Sequence, residues 1–228
     1  MRILFEFEKH ARLRFISHLD LQRFMQMALR RTNLPVAYSQ GFNPHPQMNF
    51  ASALAMGWTS DCEILDVKMA EDITEDFAHQ QMAAALPPDL PLRRVRCVDD
   101  SHPKTMAILM MADYEITLAG DGAEQVVNAI PGFLAETEVL AMRKTKSGEK
   151  QTDIRPMSVM LKSIQTDVGF RIDARLMLKE TATLKPDLLL KVFAERAGLA
   201  DLPAAVNIHR TKLLGLDQSC QPKDLFIL

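Results

Sequence analysis

Ile3-Leu4-Phe5-Glu6-Phe7-Glu8 opens the chain, and a basic connector leads to Ser17-His18-Leu19-Asp20-Leu21-Gln22-Arg23-Phe24-Met25-Gln26-Met27-Ala28-Leu29. The fold is read from this pair of segments. Ile3, Phe5 and Phe7 alternate with Leu4, Glu6 and Glu8, which predicts a strand with one buried face. Leu21, Phe24, Met25, Ala28 and Leu29 recur at i, i+3, i+4, i+7 and i+8, the stripe of an amphipathic helix. Arg23, Gln26 and Arg30 fall on its other side. Ser17 is the expected N-cap, with Asp20 three residues on completing a capping box. Pro35 restricts Leu34 to extended angles, so the helix ends near Asn33.

The same punctuation organises the rest. Val36 to Tyr38 reads as a short strand and Ser39 to Met48 as a loop. Strands follow at Asn49 to Ala55 and Cys62 to Met69. A helix capped by Thr74 runs to Leu86, where Pro87, Pro88 and Pro91 stop it, and Arg93 to Val98 is a strand. Beyond a polar stretch, Asp99 to Thr105, the order repeats. Tyr114 to Leu118 is a strand, Gly122 to Ile130 a helix closed by Pro131, and Glu138 to Met142 a strand. Met157 to Gln165 and Phe170 to Leu178 form a hairpin; a helix opens at Pro186, and Val206 to Leu213 is the last strand. The expected fold is α+β: two tandem ferredoxin-like (β-α-β-β-α-β) units with antiparallel sheets, over 1–98 and 106–228, joined by a linker at 99–105.

At 228 residues, 47% hydrophobic and 25% charged, the chain has ordinary globular composition, which excludes disorder and collagen-like repeats. The apolar run Met106 to Ala112 is far shorter than the ~20 residues of a membrane span, so no membrane association is expected. Charges at Glu6, Glu8 and Lys9 interrupt any secretory signal core. Cys62, Cys97 and Cys220 are scattered and odd in number, which points to a reducing, cytoplasmic setting and to neither disulfide scaffold nor zinc ribbon. No cofactor or metal is expected from any motif. His10, His79, His102 and His209 are isolated in sequence, and His18 reads as a packing residue.

Charge is uneven. Residues 1–50 hold seven arginines and lysines against three acids, although the whole chain carries −2. That local excess suits a polyanion, or is simply a solvated face. Residues 32–50 then contain no acidic or basic side chain other than His45. Within them, Gly41 permits positive φ and Pro44 and Pro46 stiffen the backbone on either side of His45. A stiff loop with Tyr38, Gln40, Phe42, Asn43 and His45 suits stacking and hydrogen bonding to an unpaired base, while Arg12, Arg14, Arg23 and Arg30 hold phosphates. The competing reading makes Tyr38 and Phe42 core plugs. A second basic stretch, Arg143, Lys144, Lys146, Lys150 and Arg155, turning at Ser147-Gly148, reads either as a second phosphate-contacting edge or, the favoured reading, as a soluble hairpin tip.

Arg14-Phe15-Ile16-Ser17-His18-Leu19-Asp20-Leu21, Ala28-Leu29-Arg30-Arg31, Leu34-Pro35 and Tyr38-Ser39-Gln40-Gly41-Phe42-Asn43-Pro44-His45-Pro46 together closely resemble the radical SAM-linked protein family, a domain of unknown function. Weaker agreement runs through Gly57, Glu63, Asp66, Asp153-Ile154-Arg155-Pro156 and Lys185-Pro186-Asp187-Leu188-Leu189. Members occur alone or fused behind a radical SAM domain; with no Cys-x-x-x-Cys-x-x-Cys, this sequence resembles the stand-alone form. The resemblance implies a radical SAM enzyme as partner and assigns no reaction. The expected function is therefore a non-catalytic accessory module that works with such an enzyme and binds RNA, a tRNA or rRNA, through the basic helix and the polar loop. A pure protein adaptor is one alternative. The other is a metal-independent RNA endonuclease using His45 as general acid or base, for which no second acid–base group is evident.

Overall fold

The computed structural model describes residues 1–145, 148–203 and 205–228; Lys146 and Ser147 of the expected hairpin tip lie outside them. Among the described residues no helix is long and apolar enough to cross a membrane. The fold is mixed α+β, and every strand pair with a described register is antiparallel. Contacts divide the chain into two units, Met1–Leu109 with Leu213–Leu228, and Met110–Lys212. Residues 99–105, expected as a linker, thus count with the first unit, and so does the C-terminal segment.

In the first unit β1 (Arg2–Lys9) leads through a 3-10 turn (Ala11–Phe15) to α1 (His18–Arg30). The Ser17 hydroxyl accepts from the Asp20 N–H at 3.1 Å, as the capping signal requires. β2 (Met48–Phe50) is shorter than the expected Asn49 to Ala55, because Ala51 is the last residue bonded to the next strand. β3 (Thr59–Lys68), α2 (Glu75–Ala85), β4 (Leu92–Val98) and a single turn, α3 (Thr105–Ile108), complete this part. β1 lies between β3 and β4, and β2 pairs with the other edge of β3.

Ile3, Phe5, Phe7, Leu21, Met25, Leu29, Leu65, Val67 and Met82 form one core under α1 and α2. Each such side chain contributes about 1.5–3 kcal/mol relative to exposure. His18 meets Phe50 edge-on at 5.0 Å, the packing role expected of it. β1 departs from the expectation of one buried face: Leu4 and Glu6 are buried as well. The C-terminal segment accounts for this. Arg94 holds Glu6 through two hydrogen bonds and reaches Asp224 at 2.8 Å, and Arg96 donates to the Phe226 carbonyl at 2.7 Å.

The second unit is built from β5 (Met111–Ala119), α4 (Ala123–Asn128), α5 (Ile130–Ala135), β6 (Leu140–Thr145), β7 (Gly148–Asp153), β8 (Ser158–Thr166), β9 (Gly169–Lys179), β10 (Ala182–Thr183) and α6 (Pro186–Arg196). The expected helix ending at Pro131 is two short helices, because proline is well tolerated in the first turn, where its missing N–H is not needed. The strand expected at Glu138 to Met142 begins later and pairs only with β7, as a separate hairpin. β9 is flanked by β8 and β5, with Ile116 opposite Ile172 and Leu161 opposite Ala174. β11 (Ala205–Leu216) is divided between the units at Lys212, and its end pairs with β12 (Pro222–Asp224).

Candidate functional site

The loop from Tyr38 to Pro46 is held at its neck by the backbone. Tyr38 bridges Pro46 and Val36 bridges Met69. Ser39 N–H donates to the His45 carbonyl at 2.9 Å, and the His45 N–H donates to Ser39 Oγ at 3.0 Å. Gln47 Nε2 donates to the Tyr38 carbonyl at 2.9 Å. At the tip Gly41 takes φ of +129°, a conformation side chains rarely adopt. Gln40, Asn43 and His45 are exposed, Tyr38 is 39% exposed, and Phe42 projects wholly into solvent. These rings are not core plugs. A pinned backbone presenting a bare phenyl ring and hydrogen-bonding groups is a platform for a planar ligand.

The arginines expected beside this loop are divided by the sheet register. Lys9 lies opposite Ser60 and Arg2 opposite Lys68, so the ends of β1 and β3 are ~25 Å apart at ~3.3 Å per residue. The loop joins the Lys68 end through the Ala37 N–H to Lys68 carbonyl bond. Arg30 is exposed at the close of α1, and the chain runs from it to that end, where the Pro35 carbonyl accepts from the Ala70 N–H. The Arg14 carbonyl accepts from Gly57 N–H at the other end, where Arg12 pairs with Asp89 at 2.9 Å. Exposed Arg23 lies between, 3.3 Å from Asp20 on its own helix.

Reasoning from sequence missed what does converge beside the loop. Gln47 and Asn49, which follow it, line a cavity of about 290 Å³ with Lys68, Asp66, Arg2, Asp100, His102 and Lys104. Arg2 is nine-tenths buried; its Nη1 holds Asp66 at 3.0 Å and its Nη2 donates to the carbonyls of His102 and Pro103. Arg2 Nε and His102 Nε2 are buried with no hydrogen-bond partner among the described residues. Burial pushes the Asp66 carboxyl up despite Arg2, the Thr105 N–H and Lys104, and burial, with Arg96 and Arg2, pushes the His102 imidazole down. The hydrogen bond from Lys68 holds exposed Asp100 below the usual carboxylate range. Alternation gave no warning of it: Arg2 is in phase with Leu4 and Glu6, and Asp66 falls between Leu65 and Val67, so both sit on faces expected to be open and are nevertheless buried.

At the opposite end Glu8, His10 and Asp61 each bring one donor atom within 4.8 Å of the others. Arg93 Nε also lies 3.5 Å from Glu8, and Arg93 donates to the Asp61 carbonyl, so this cluster reads as an ion-pair network. His45 has no acid–base group hydrogen-bonded to its ring among the described residues, so nothing there orients it for proton transfer.

A family model described as an uncharacterized protein conserved in bacteria matches residues 2–186. No curated protein matches the chain. Among solved structures, an unknown protein from Galdieria sulphuraria is 12% identical over 92% of this chain and 96% of its own, with a TM-score of 0.26, too low to carry an argument.

Proposed function

The chain belongs to the DUF2344 family of uncharacterized bacterial proteins, and from that premise we propose that it is a non-catalytic module that binds single-stranded RNA through the Tyr38–Pro46 loop, in partnership with a radical SAM enzyme. The observation that carries the RNA reading is Phe42, wholly exposed on a loop whose neck is pinned by backbone bonds. Leaving a phenyl ring in water forgoes about 1.5–3 kcal/mol of burial, a cost that a stacked base offsets. The partner rests on the resemblance of the Arg14–Leu21 and Tyr38–Pro46 motifs to the radical SAM-linked family. Two tandem ferredoxin-like units are part of this reading. The order β4-β1-β3-β2 in the first unit and the run β8-β9-β5 in the second support them.

Only Arg30, of the expected phosphate-holding arginines, closes the helix from which the chain runs to the loop's end, so the salt dependence is shallow. Contact with one to three phosphates gives a log–log slope of about −0.7 to −2. Anisotropy titration of a short fluorescent RNA against the whole chain tests this. Phe42→Ala is expected to weaken binding by about 1–3 kcal/mol, roughly 5- to 150-fold, with no change in thermal stability. Unchanged affinity in that variant removes the loop from RNA recognition. RNA turnover without added metal, abolished in His45→Ala, selects the endonuclease instead. The adaptor reading is favoured by Phe15, Leu19 and Met56, all more than half exposed on the first unit. Recovery of a radical SAM enzyme without RNA from the native host, lost on changing Phe15 and Leu19 to Ser, selects it.

A further inference from the structure

We propose that the groove between β6 and α6 in the second unit binds an acidic peptide of a partner protein, which joins the open edge of β6 as an added strand. The groove, about 430 Å³, is lined by residues 139–142 on one side and by one face of α6, from Leu188 to Arg196, on the other. Successive side chains of a strand point to opposite faces, so four residues in a row line a groove only along the strand's edge. β7 covers the other edge of β6, and none of its residues lines the groove.

The backbone of this edge is unspent. Ile154 N–H donates to the Val139 carbonyl at 2.8 Å, which makes these two a hydrogen-bonded pair. By the register of β6 on β7 the next such pairs are Ala141 with Thr152 and Arg143 with Lys150. Leu140 and Met142 therefore turn their N–H and C=O groups away from β7, and those groups have no partner among the described residues. Both side chains are more than half exposed. An extended peptide completes such an edge: its backbone supplies the bonds, and its alternate side chains meet the groove.

Charge selects the partner. The hairpin carries Arg143, Lys144, Lys146 and Lys150 against Glu149 and Asp153, and Asp153 already accepts from the Val139 and Arg155 N–H groups. Arg143 and Lys150 lie directly opposite each other with no ion-pair partner among the described residues, a repulsion that a carboxylate relieves. Lys191 stands exposed on the α6 wall, 3.7 Å from Glu195. A second copy of the chain sets the hairpin's cations against themselves, so an acidic strand is favoured over self-pairing. This proposal does not rest on the RNA reading above.

The test titrates the full chain into fluorescein-labelled octapeptides that alternate Val or Ile with Glu or Asp, followed by anisotropy. Saturable binding is expected, with lysine counterparts of these peptides at least about tenfold weaker. N-methylation of the peptide amides removes their donors and is expected to abolish binding. Met142→Pro deletes an outward N–H while leaving the bonds to β7 in place, and is expected to weaken binding about tenfold or more at an unchanged thermal midpoint. Lys191→Glu, at an exposed helix position outside the hairpin, is expected to weaken it roughly two- to fivefold. Absence of peptide binding, equal binding of the lysine peptides, or affinity unaltered in both variants overturns the proposal. Dimers that form with concentration and are abolished by Met142→Pro assign the edge to a second copy. Displacement of the peptide by a short single-stranded RNA assigns it to nucleic acid, and either result also overturns the proposal. Phe42→Ala, in the other unit, leaves peptide affinity unchanged even where RNA affinity is lost.

Discussion

Replacing Arg94 by Met strands a carboxylate. Glu6 is 2% exposed in β1, and both its oxygens accept from the Arg94 guanidinium, whose Nη2 also reaches Asp224 at 2.8 Å. The hydrogen bonds it donates to Glu6 keep the guanidinium charged well above its usual range, and the group stacks over Phe226 at 4.5 Å. Removing one partner of a fully buried pair costs about 3–5 kcal/mol, because the other charge stays desolvated. The Arg94 side chain is 40% exposed, so water reaches the vacated site and about 2–3 kcal/mol is the expected loss. At ~2–4 °C per kcal/mol for a chain of this size, the melting midpoint falls roughly 4–12 °C. Urea unfolding of wild type, Arg94→Met, Glu6→Gln and the double variant measures the coupling. The double variant should recover at least about 1 kcal/mol over Arg94→Met, since a neutral amide replaces the stranded charge. Hydrogen exchange at Asp224–Phe226 should rise in Arg94→Met, because that variant removes the Arg94 bond to Asp224 and leaves only the Arg96 bond to the Phe226 carbonyl of the two. A loss under about 1 kcal/mol, or no recovery in the double variant, refutes the account of Glu6 as a buried charge dependent on Arg94.

His102 should impose a pH dependence on stability. Its folded pKa lies below the ordinary 6.5, through burial first and then Arg96 and Arg2. Well above that value folded and unfolded chains both hold it neutral. As pH falls the unfolded chain takes the proton first, so stability declines until the lowered folded pKa is passed. His102→Gln should flatten this slope as pH falls through the ordinary histidine value of about 6.5, read from urea midpoints; an unchanged slope rejects it. Asp66, whose pKa is raised, contributes with the opposite sign, because the folded chain takes that proton first. Gly169→Ala should destabilise the second unit by about 2–3 kcal/mol. At φ of +147° an added Cβ runs into the Leu118 carbonyl oxygen, a backbone atom that cannot swing aside. A calorimetric midpoint within about 1 °C of wild type disproves that contact.

Much of the local structure was legible because its causes lie within a few residues of one another. Ser17 and Thr74 cap their helices as their spacing implies, and each accepts from the backbone N–H three residues on. Pro186 opens α6, and the alternation from Phe170 to Leu178 forms a strand. The Tyr38–Pro46 loop announced itself by Gly41, its two prolines and its freedom from acids, lysines and arginines. Errors of extent occurred where a residue type permits two outcomes. Pro131 stops one helix or begins another with equal ease, and partner strands settled where β2 ended.

The charged site was not legible in the same way. Arg12 and Arg14 share a short stretch with the helix that leads to the loop, yet antiparallel pairing of β1 with β3 leaves them at the far end of the unit. Arg2, Asp66 and His102 are scattered over a hundred positions, and register alone brings them to one cavity. Capping, amphipathic periodicity and turn chemistry act between neighbours, so the sequence by itself determined most of the elements and the stiffness of the loop, while the exposure of Tyr38 and Phe42 came from the tertiary structure. Which charges meet depends on strand order and register, which are set by burying both faces of β1 at once. That condition involves the whole chain, down to the Asp224–Phe226 segment, and only the tertiary structure decided it.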